Sequence, residues 1–338
     1  MLDHEDGFWF VRFLVNVAHL FSIGAPWSRM CLIVFNWKPG SFPSLVVGAN
    51  RDEQFDRPSD TARFWKDKPH IFAGRDALMG GTWLACSTNG RFAAVTNYHE
   101  PRPEGASRQQ TYRKSRGEIG VVFVSEDTRD RKAASTSSVV EFVKVNLEVC
   151  HKEYGGYNAI LFDGISLVYC SNRGCTKDED TYSFVMRELP PGLYGLSNHL
   201  LDTPWPKVDK AKIALSKALS ATLTSSVLSS EKKVERVDSN GSSDHTDLAK
   251  KLIEVMGDDS RVLEVDLLPV TLGEWEETIR SSIFVDGPTF GTRTTTIVSY
   301  HCQKGFDVTE KNYKTRHPTS ESSFVYQHID IGQSHNDD

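Results

Sequence analysis

The stretch CLIVFNWKPGSFPSLVVGANRDE, residues 31–53, contains two apolar runs separated by a turn-rich segment. The runs 31–37 and 44–50 are rich in β-branched and aromatic residues, which favour strands. Between them, residues 38–43 carry the Pro, Gly and Ser that are typical of turns. The pattern predicts a β-hairpin whose second strand ends at Asn50, and therefore a fold built on antiparallel strands.

The second run leads directly into a polar quartet, Asn50, Arg51, Asp52 and Glu53. A turn centred between positions 40 and 41 would place Cys31 opposite Asn50, with Arg51 and Asp52 just beyond. Opposed residues have Cβ atoms about 4.5–5.5 Å apart. A nearby guanidinium favours the thiolate, so we expect Arg51 to lower the pKa of Cys31 below its usual value of about 8.5.

A second interpretation of the same residues stays open. Cysteine is among the most buried residue types, so Cys31 is equally consistent with an ordinary first-strand residue. Arg51 and Asp52 would then form an ion pair at the strand exit, which contributes little to stability.

Further strands and helices follow along the chain. The strands are predicted at 82–88, 91–98, 157–163, 166–172, 281–286 and 292–300, and the helices at 116–126, 136–150, 206–222 and 247–257. Strands cluster towards both ends and helices lie between them, so no alternating βαβ order is present. This order predicts an α+β protein with layers of helices on mostly antiparallel sheets.

The composition restricts the class of protein. The chain has 338 residues, 39% of them hydrophobic, and a formal net charge of −6, which is typical of a soluble globular protein and disfavours a general nucleic-acid surface. The six cysteines are scattered, which predicts a reducing, cytoplasmic compartment. Arg12, Asn16 and His19 interrupt the apolar run 8–21, so no stable membrane span is expected.

The domain organisation follows from these patterns. We predict an N-terminal extension 1–29, one domain over 30–315 with mobile inserts near 100–116 and 225–247, and a disordered tail 316–338. A chain that starts at Met30 and loses it would expose Cys31 as its first residue. The α-amine of Cys31, with a pKa of about 7.7–8.0, could then act as base for its own thiol, whereas an internal Cys31 has no such amine.

Several blocks of sequence carry a family resemblance. They are MCLIVF, ANRDE, GGTWLACSTNGRFAAVTNY, YNAILFD, YGLSNHLLDTPWPK and GTRTTTIV, in order from Met30 to Tyr300. With these blocks the chain resembles the NRDE family, also called the transport and Golgi organisation protein 2 family. The resemblance implies an N-terminal-nucleophile (Ntn) hydrolase-like, four-layer αββα sandwich, in agreement with the layered antiparallel prediction.

The resemblance also implies a set of site residues. Cysteine amidases and acyltransferases of the broader fold use an N-terminal cysteine with Arg, Asp and Asn partners. The matching positions here are Cys31, Arg51, Asp52, Asn97, Asn198 and Arg293. An Asn amide near a developing oxyanion is an established catalytic device, although Asn is also common at strand ends, so both roles stay open for Asn97 and Asn198.

Two function hypotheses follow, and a purely structural role is a third alternative. The first, which rests on the resemblance, is a factor that traffics haem or a lipid-like acyl molecule and supports Golgi and secretory homeostasis, in the cytoplasm or associated with Golgi or mitochondria. His199 and His301 are the candidate haem ligands, and haem would be a transported ligand, not a fixed cofactor. The second is a cysteine amidohydrolase or acyltransferase that uses Cys31 on a linear amide or thioester. No fixed metal is expected, because the sequence has no Cys-x-x-Cys-His or His-x-x-x-His arrangement.

Overall fold

The predicted hairpin lies at the centre of a six-stranded antiparallel sheet, the first sheet. The computed structural model describes residues 31–99, 112–126, 138–175, 182–232, 242–260, 282–313 and 322–331. In chain order the strands of the first sheet are β1 (Leu32–Trp37), β2 (Leu45–Gln54), β10 (Gly192–Leu196), β11 (Phe290–His301), β12 (Gly305–Tyr313) and β13 (Ser322–Ile329). Their spatial order is β10-β1-β2-β11-β12-β13, so the hairpin is covered on both edges.

The second sheet has seven strands that pair in the order of the chain, each antiparallel to the next. They are β3 (Ser59–Trp65), β4 (Lys68–Asp76), β5 (Leu84–Ser87), β6 (Phe92–Asn97), β7 (Tyr157–Phe162), β8 (Leu167–Cys175) and β9 (Tyr182–Glu188). The largest apolar core lies between the two sheets and includes Phe35 and Val47 of the first sheet and Phe72 and Phe92 of the second.

Helices cover the outer face of each sheet. They are α1 (Gly117–Ser125), α2 (Val139–Phe142, continued by a π-helical segment, Val143–Glu148), α3 (Pro206–Lys232) and α4 (Ser242–Met256), with a short 3-10 turn at His151–Glu153. Helices α1 and α2 pack on the second sheet, and α3 and α4 on the first. The predicted four-layer α+β sandwich with antiparallel sheets is therefore confirmed. Of the helices within the described ranges, none has the length and apolar character needed to cross a membrane.

The hairpin register differs by one residue from the prediction. Trp37 pairs with Leu45, and the seven residues between them form a loop closed by the Lys38 amide donating to the Ser44 carbonyl at 2.8 Å. An odd number of loop residues centres the turn on Ser41 instead of between two residues. Leu32 therefore faces Asn50, and Cys31 lies level with Arg51.

The polar quartet lies within strand β2 and does not follow it. All four residues are buried, because β11 pairs with β2 along its whole length, from Tyr300 opposite Leu45 to Phe290 opposite Gln54. The predicted strand end at Asn50 is wrong, since backbone pairing and polar partners compensate for the burial of these side chains.

Other differences involve elements with weak sequence patterns. Residues 281–286 were predicted as a strand, but in the described part of this stretch only Asp286 forms a bridge, to Gly291. The tail 316–338 was predicted to be disordered, yet residues 322–329 form β13, because an edge strand needs backbone pairing with β12 more than apolar side chains.

The predicted extension 1–29 and parts of both inserts lie outside the described residues. Within the described part, α3 extends into the second insert to Lys232, and α4 begins in it at Ser242.

Candidate active site

A cleft of about 100 Å³ lies where the start of β1 and the end of β2 meet the second sheet. Strand β2 and the residue before β1 provide one wall, and the residues around β5, β6 and the start of α1 provide the other. The lining includes Cys31, Arg51, Asp52, Glu53, Arg57, Asp76, Met79, Trp83, Val95, Asn97 and Arg116. Of the six predicted catalytic residues, four line this Cys31 cleft. The predicted proximity of the thiol, the guanidinium and the carboxylate is therefore observed.

Arg51 lies on the face of β2 that meets the second sheet. Its guanidinium carbon is 4.2 Å from the ring centroid of Trp83, an arrangement that favours a cation–π interaction. Its Nη1 donates to Ser59 Oγ at 3.3 Å, and its Nη2 is 3.9 Å from a carboxylate oxygen of Glu53. With 5% of its surface exposed, this guanidinium is fixed beside Cys31.

Asn50 has a structural role in the same strand. Its amide donates to the carbonyls of Met256, at the end of α4, and of Ile283, at 2.8 and 2.9 Å. Its side-chain oxygen accepts from Thr295 Oγ1 at 2.7 Å. Both amide hydrogens are committed to these bonds, so Asn50 joins the helical layer to the sheet and has no donor left for a ligand.

Asp52 faces the helical layer, as the alternation of side chains along a strand requires. Its Oδ1 accepts from Thr292 Oγ1 at 2.6 Å, while Oδ2 is buried and has no hydrogen-bond partner in the described part of the chain. Burial raises the pKa of Asp52 to about 7, against the opposing effects of the Lys207 charge, the Thr292 bond and Arg51. The group therefore changes its charge near neutral pH.

Lys207, which is fully buried in the first turn of α3, is a site residue that sequence reasoning missed. The sequence did carry an indication of this role. A lysine in the first turn of a helix opposes the helix dipole, and a nearby carboxylate compensates for this. Asp52 is that carboxylate, brought within reach by the packing of α3 on the first sheet.

The thiol of Cys31 is partly buried, and its Sγ lies 4.0 Å from the Asp52 carbonyl oxygen. Burial raises the pKa of Cys31 to about 12, and the Asp52 charge adds to this effect. The predicted lowering is wrong, because Arg51 opposes the rise but does not outweigh the loss of solvation. The thiol is therefore neutral at pH 7 and needs a base before it can act as a nucleophile.

The two candidate oxyanion residues differ in their surroundings. Asn198 is fully buried, and its amide donates to the Asn97 carbonyl at 2.7 Å. The neighbouring Ser197 Oγ donates to the Cys31 carbonyl at 2.7 Å, so this segment positions both walls of the cleft. The Asn97 side chain lines the cleft and makes no hydrogen bond within the described residues. Asn97 is therefore the better donor to a bound oxyanion, and Asn198 holds it in place.

Arg293 does not line the cleft. It is the extra residue of a bulge in β11, between Thr292 opposite Asp52 and Thr294 opposite Arg51. Its Nη1 donates to the carbonyls of Gln54 and Arg57 at 3.1 and 2.6 Å. The predicted catalytic residue instead secures the chain that leaves β2.

The two candidate haem ligands lie at opposite ends of the first sheet. His301 is nine residues along β11 from Thr292, the partner of Asp52, which at about 3.3 Å per residue is about 30 Å. His199 lies beside Asn198 at the Cys31 end, and its two ring nitrogens contact Tyr98 Oη at 3.0 Å and Thr203 Oγ1 at 2.8 Å. The two imidazoles therefore cannot bind one haem. Among the described side chains, no group of three or more His, Cys, Asp and Glu is arranged to hold a metal ion.

Solved structures with a similar fold include an acid amidase and a bile acid hydrolase. An N-acylethanolamine-hydrolyzing acid amidase ortholog from Caenorhabditis elegans is 10% identical, with a TM-score of 0.33, and the match covers 79% of this chain and 92% of that one. A variant of conjugated bile acid hydrolase from Clostridium perfringens is 10% identical, with a TM-score of 0.39 and coverage of 91% and 100%. At these scores the superpositions support no conclusion about the chemistry of the cleft.

Two proteins with related sequences are more similar to this chain than these solved structures are. A human protein named Transport and Golgi organization protein 2 homolog is 30% identical over 298 residues, which span 84% of this chain and 93% of the human protein. Transport and Golgi organization protein 2 of Drosophila melanogaster is 24% identical over 289 residues, or 80% of this chain and 87% of the fly protein. The family model described as Transport and Golgi organisation 2 matches residues 30–315. The chain therefore belongs to the Transport and Golgi organisation 2 family.

Proposed function

We propose that the chain acts in transport and Golgi organisation, as the names of its relatives indicate, by cysteine chemistry on a small acyl compound. The proposed reaction is hydrolysis or acyl transfer of a linear amide or thioester at the Cys31 cleft. The observation that carries the proposal is the convergence of the Cys31 thiol, the Arg51 guanidinium and the Asn97 amide, which makes no hydrogen bond within the described residues, in one cleft. Met79, Trp83 and Val95 add an apolar wall that suits an acyl group.

The steps follow from these positions. Cys31 Sγ attacks the carbonyl carbon of the substrate, and the Asn97 amide donates to the oxygen that becomes negative. The carbon–nitrogen or carbon–sulfur bond then breaks, and the amine or thiol leaves with a proton from the base. An acyl group remains on Sγ as a thioester, and attack by water, or by an acceptor in the transfer reaction, releases it and restores the thiol.

The base is the α-amine of Cys31 in a form of the chain that begins at this residue. At pH 7 about a tenth to a sixth of an amine with a pKa of about 7.7–8.0 is unprotonated, and this fraction can take the thiol proton. The buried Oδ2 of Asp52, which has no hydrogen-bond partner in the described part of the chain, is an acceptor for the ammonium formed. In a chain that continues upstream of Cys31 this base is absent, and the raised pKa of the thiol keeps it unreactive.

The first prediction concerns the thiol itself. In protein isolated from its own cells, intact-mass analysis should find a chain that begins at Cys31, and iodoacetamide at pH 7.5 should label Cys31 faster than the exposed Cys302. In a recombinant chain that retains residue 30, we expect Cys31 to react more slowly than Cys302. Its rate should rise about tenfold per pH unit from pH 8 to 10, because the pKa of about 12 lies above that range. A natural chain left uncleaved upstream of Cys31 would exclude the self-activated nucleophile.

A second candidate function is carriage of haem or a similar planar apolar molecule. It is favoured by a cluster of rings beside the cleft, in which the Tyr98 centroid lies 5.0 Å from that of His199 and 6.1 Å from that of Tyr182. Trp205 extends the cluster, 6.3 Å from His199. The Cys31 cleft is smaller than the roughly 150 Å³ that holds a benzene ring, so a haem would lie on these rings and not inside the cleft.

Titration of haemin into the wild type and two variants tests this candidate. We expect His199→Ala to weaken binding about tenfold, because this ring belongs to the cluster. His301→Ala, about 30 Å away along β11, should leave the affinity unchanged. Equal affinity of the wild type and His199→Ala would reject the ring cluster as the haem site.

A further inference from the structure

The position of Arg51 depends on a stack of three residues from both sheets. Trp83, just before β5, lies under the Arg51 guanidinium, 4.2 Å from ring centroid to carbon. Gly74 of β4 lies against the six-membered ring of the indole, and a Cβ at this position would be 2.4 Å from Trp83 Cζ2 and Cη2. Real Cβ atoms essentially never show contacts this short, so any larger residue at position 74 would force the indole to shift.

Further contacts hold both the backbone and the ring of Trp83. The Trp83 carbonyl accepts from the Val95 amide at 2.8 Å, which fixes its backbone to β6. The indole is partly buried against the core between the sheets. The indole therefore has little freedom to move aside, and its displacement would also displace the guanidinium that rests on it.

The remaining contacts of Arg51 do not replace this support. The Glu53 carboxylate is 3.9 Å away, and the Ser59 hydroxyl is at 3.3 Å, a long bond for a charged donor. The charges of Asp76, Arg293 and Glu310 also act on or with Arg51, but no direct bond to any of them is observed in the described structure. The indole, in contrast, presents a whole ring face to the guanidinium.

We propose that Trp83 is a positioning residue that holds Arg51 beside Cys31, and that Gly74 is required because it gives the indole its place. The inference rests on the proposed function only in assigning Arg51 to a site. The expected effect of the stack on Cys31 is electrostatic. The Arg51 charge favours the Cys31 thiolate, so loss of the stack should make the thiol less reactive without any change to Cys31, Arg51 or their strands.

Alkylation of Cys31 by iodoacetamide at pH 9, measured in the full chain by peptide mass spectrometry with Cys302 as the internal reference, tests the proposal without requiring turnover. We expect Trp83→Leu to slow Cys31 alkylation about threefold or more, and Arg51→Met to do the same. The double variant should be no slower than Arg51→Met alone, since both changes remove one effect. Additive slowing would overturn the proposal.

Variants of Gly74 distinguish the proposed positioning role from a general loss of stability. Gly74→Ala should slow alkylation like Trp83→Leu, and Gly74→Ala with Trp83→Phe should restore most of the rate, because the smaller ring vacates the space that the new methyl needs. The matched control is Trp65→Phe, in another guanidinium stack of this sheet, where Arg75 lies 4.1 Å from the ring, and it should leave the rate unchanged.

The outcomes separate this proposal from the proposed function. Failure of the ring replacement to rescue Gly74→Ala, at equal unfolding free energies of the two variants, would overturn the positioning role. If the stack controls alkylation but no amide or thioester is hydrolysed, the positioning role stands and the catalytic function is rejected.

Discussion

Cys31→Ala is expected to lower kcat/KM for an acyl p-nitroanilide or acyl thioester at least about 10³-fold. In the proposed reaction Cys31 is the only group that forms a bond to the substrate, and removal of a nucleophile leaves only the residual effect of binding and of oxyanion stabilisation. The measurement is release of nitroaniline or thiol by the form of the chain that begins at residue 31. Purified protein with the wild-type unfolding curve is required, because the variant also removes a partly buried thiol.

Two further variants serve as a control and as a test of the oxyanion donor. Cys302→Ala removes an exposed thiol outside the cleft and should keep full activity. Asn97→Ala should lose about 10²- to 10³-fold in kcat, which is typical of one lost oxyanion donor. If Cys31→Ala retains a tenth of the wild-type rate, the thiol is not the nucleophile and the haem or lipid-carrier function becomes the leading proposal.

Lys207→Met is expected to lower the free energy of unfolding by about 3–5 kcal/mol at pH 8.5, because it leaves the buried Asp52 charge without the Lys207 charge that opposes its desolvation. Lys207 is fully buried, and its charge is the main effect that opposes the burial-driven rise in the pKa of Asp52. Without it the pKa of Asp52 rises further above the unfolded value of about 3.9. A carboxyl whose pKa is raised on folding binds more protons in the folded state, so stability falls as pH increases towards the folded pKa.

The loss should therefore be smaller at pH 5, where Asp52 takes a proton, than at pH 8.5. Urea denaturation of the wild type and Lys207→Met at both pH values measures this difference. Addition of Asp52→Asn should recover much of the loss at pH 8.5, because no buried charge then lacks its partner. The control is Lys210→Met in the same helix, whose 2.9 Å ion pair with Asp258 is partly exposed and should contribute less than about 1 kcal/mol. Equal losses for the two lysines would contradict a buried pair with Asp52.

The fold could be predicted from local patterns because its most buried elements carry them. The runs 31–37 and 44–50 are continuous and apolar, and both became central strands with buried faces on two sides. Strands β3, β9 and β13 lie at sheet edges and carry mixed polar side chains, so their stability comes from backbone pairing and their sequence has no clear apolar pattern. These three strands were not predicted, and neither were the edge strand β10 and the interior strands β4 and β12.

The sequence by itself determined the four-layer architecture, the hairpin that brings Cys31 to Arg51 and Asp52, and the family. These depend on contacts close in the chain, on apolar periodicity and on motif blocks. Only the tertiary structure decided which polar residues share the cleft. Asn97 reaches it from the second sheet, Lys207 acts on Asp52 from a helix over the first sheet, and Arg293 is turned away by a bulge. It also decided that the pKa of Cys31 is raised and not lowered. The cost of burying a charge depends on everything packed around it and not only on the nearest charged neighbour.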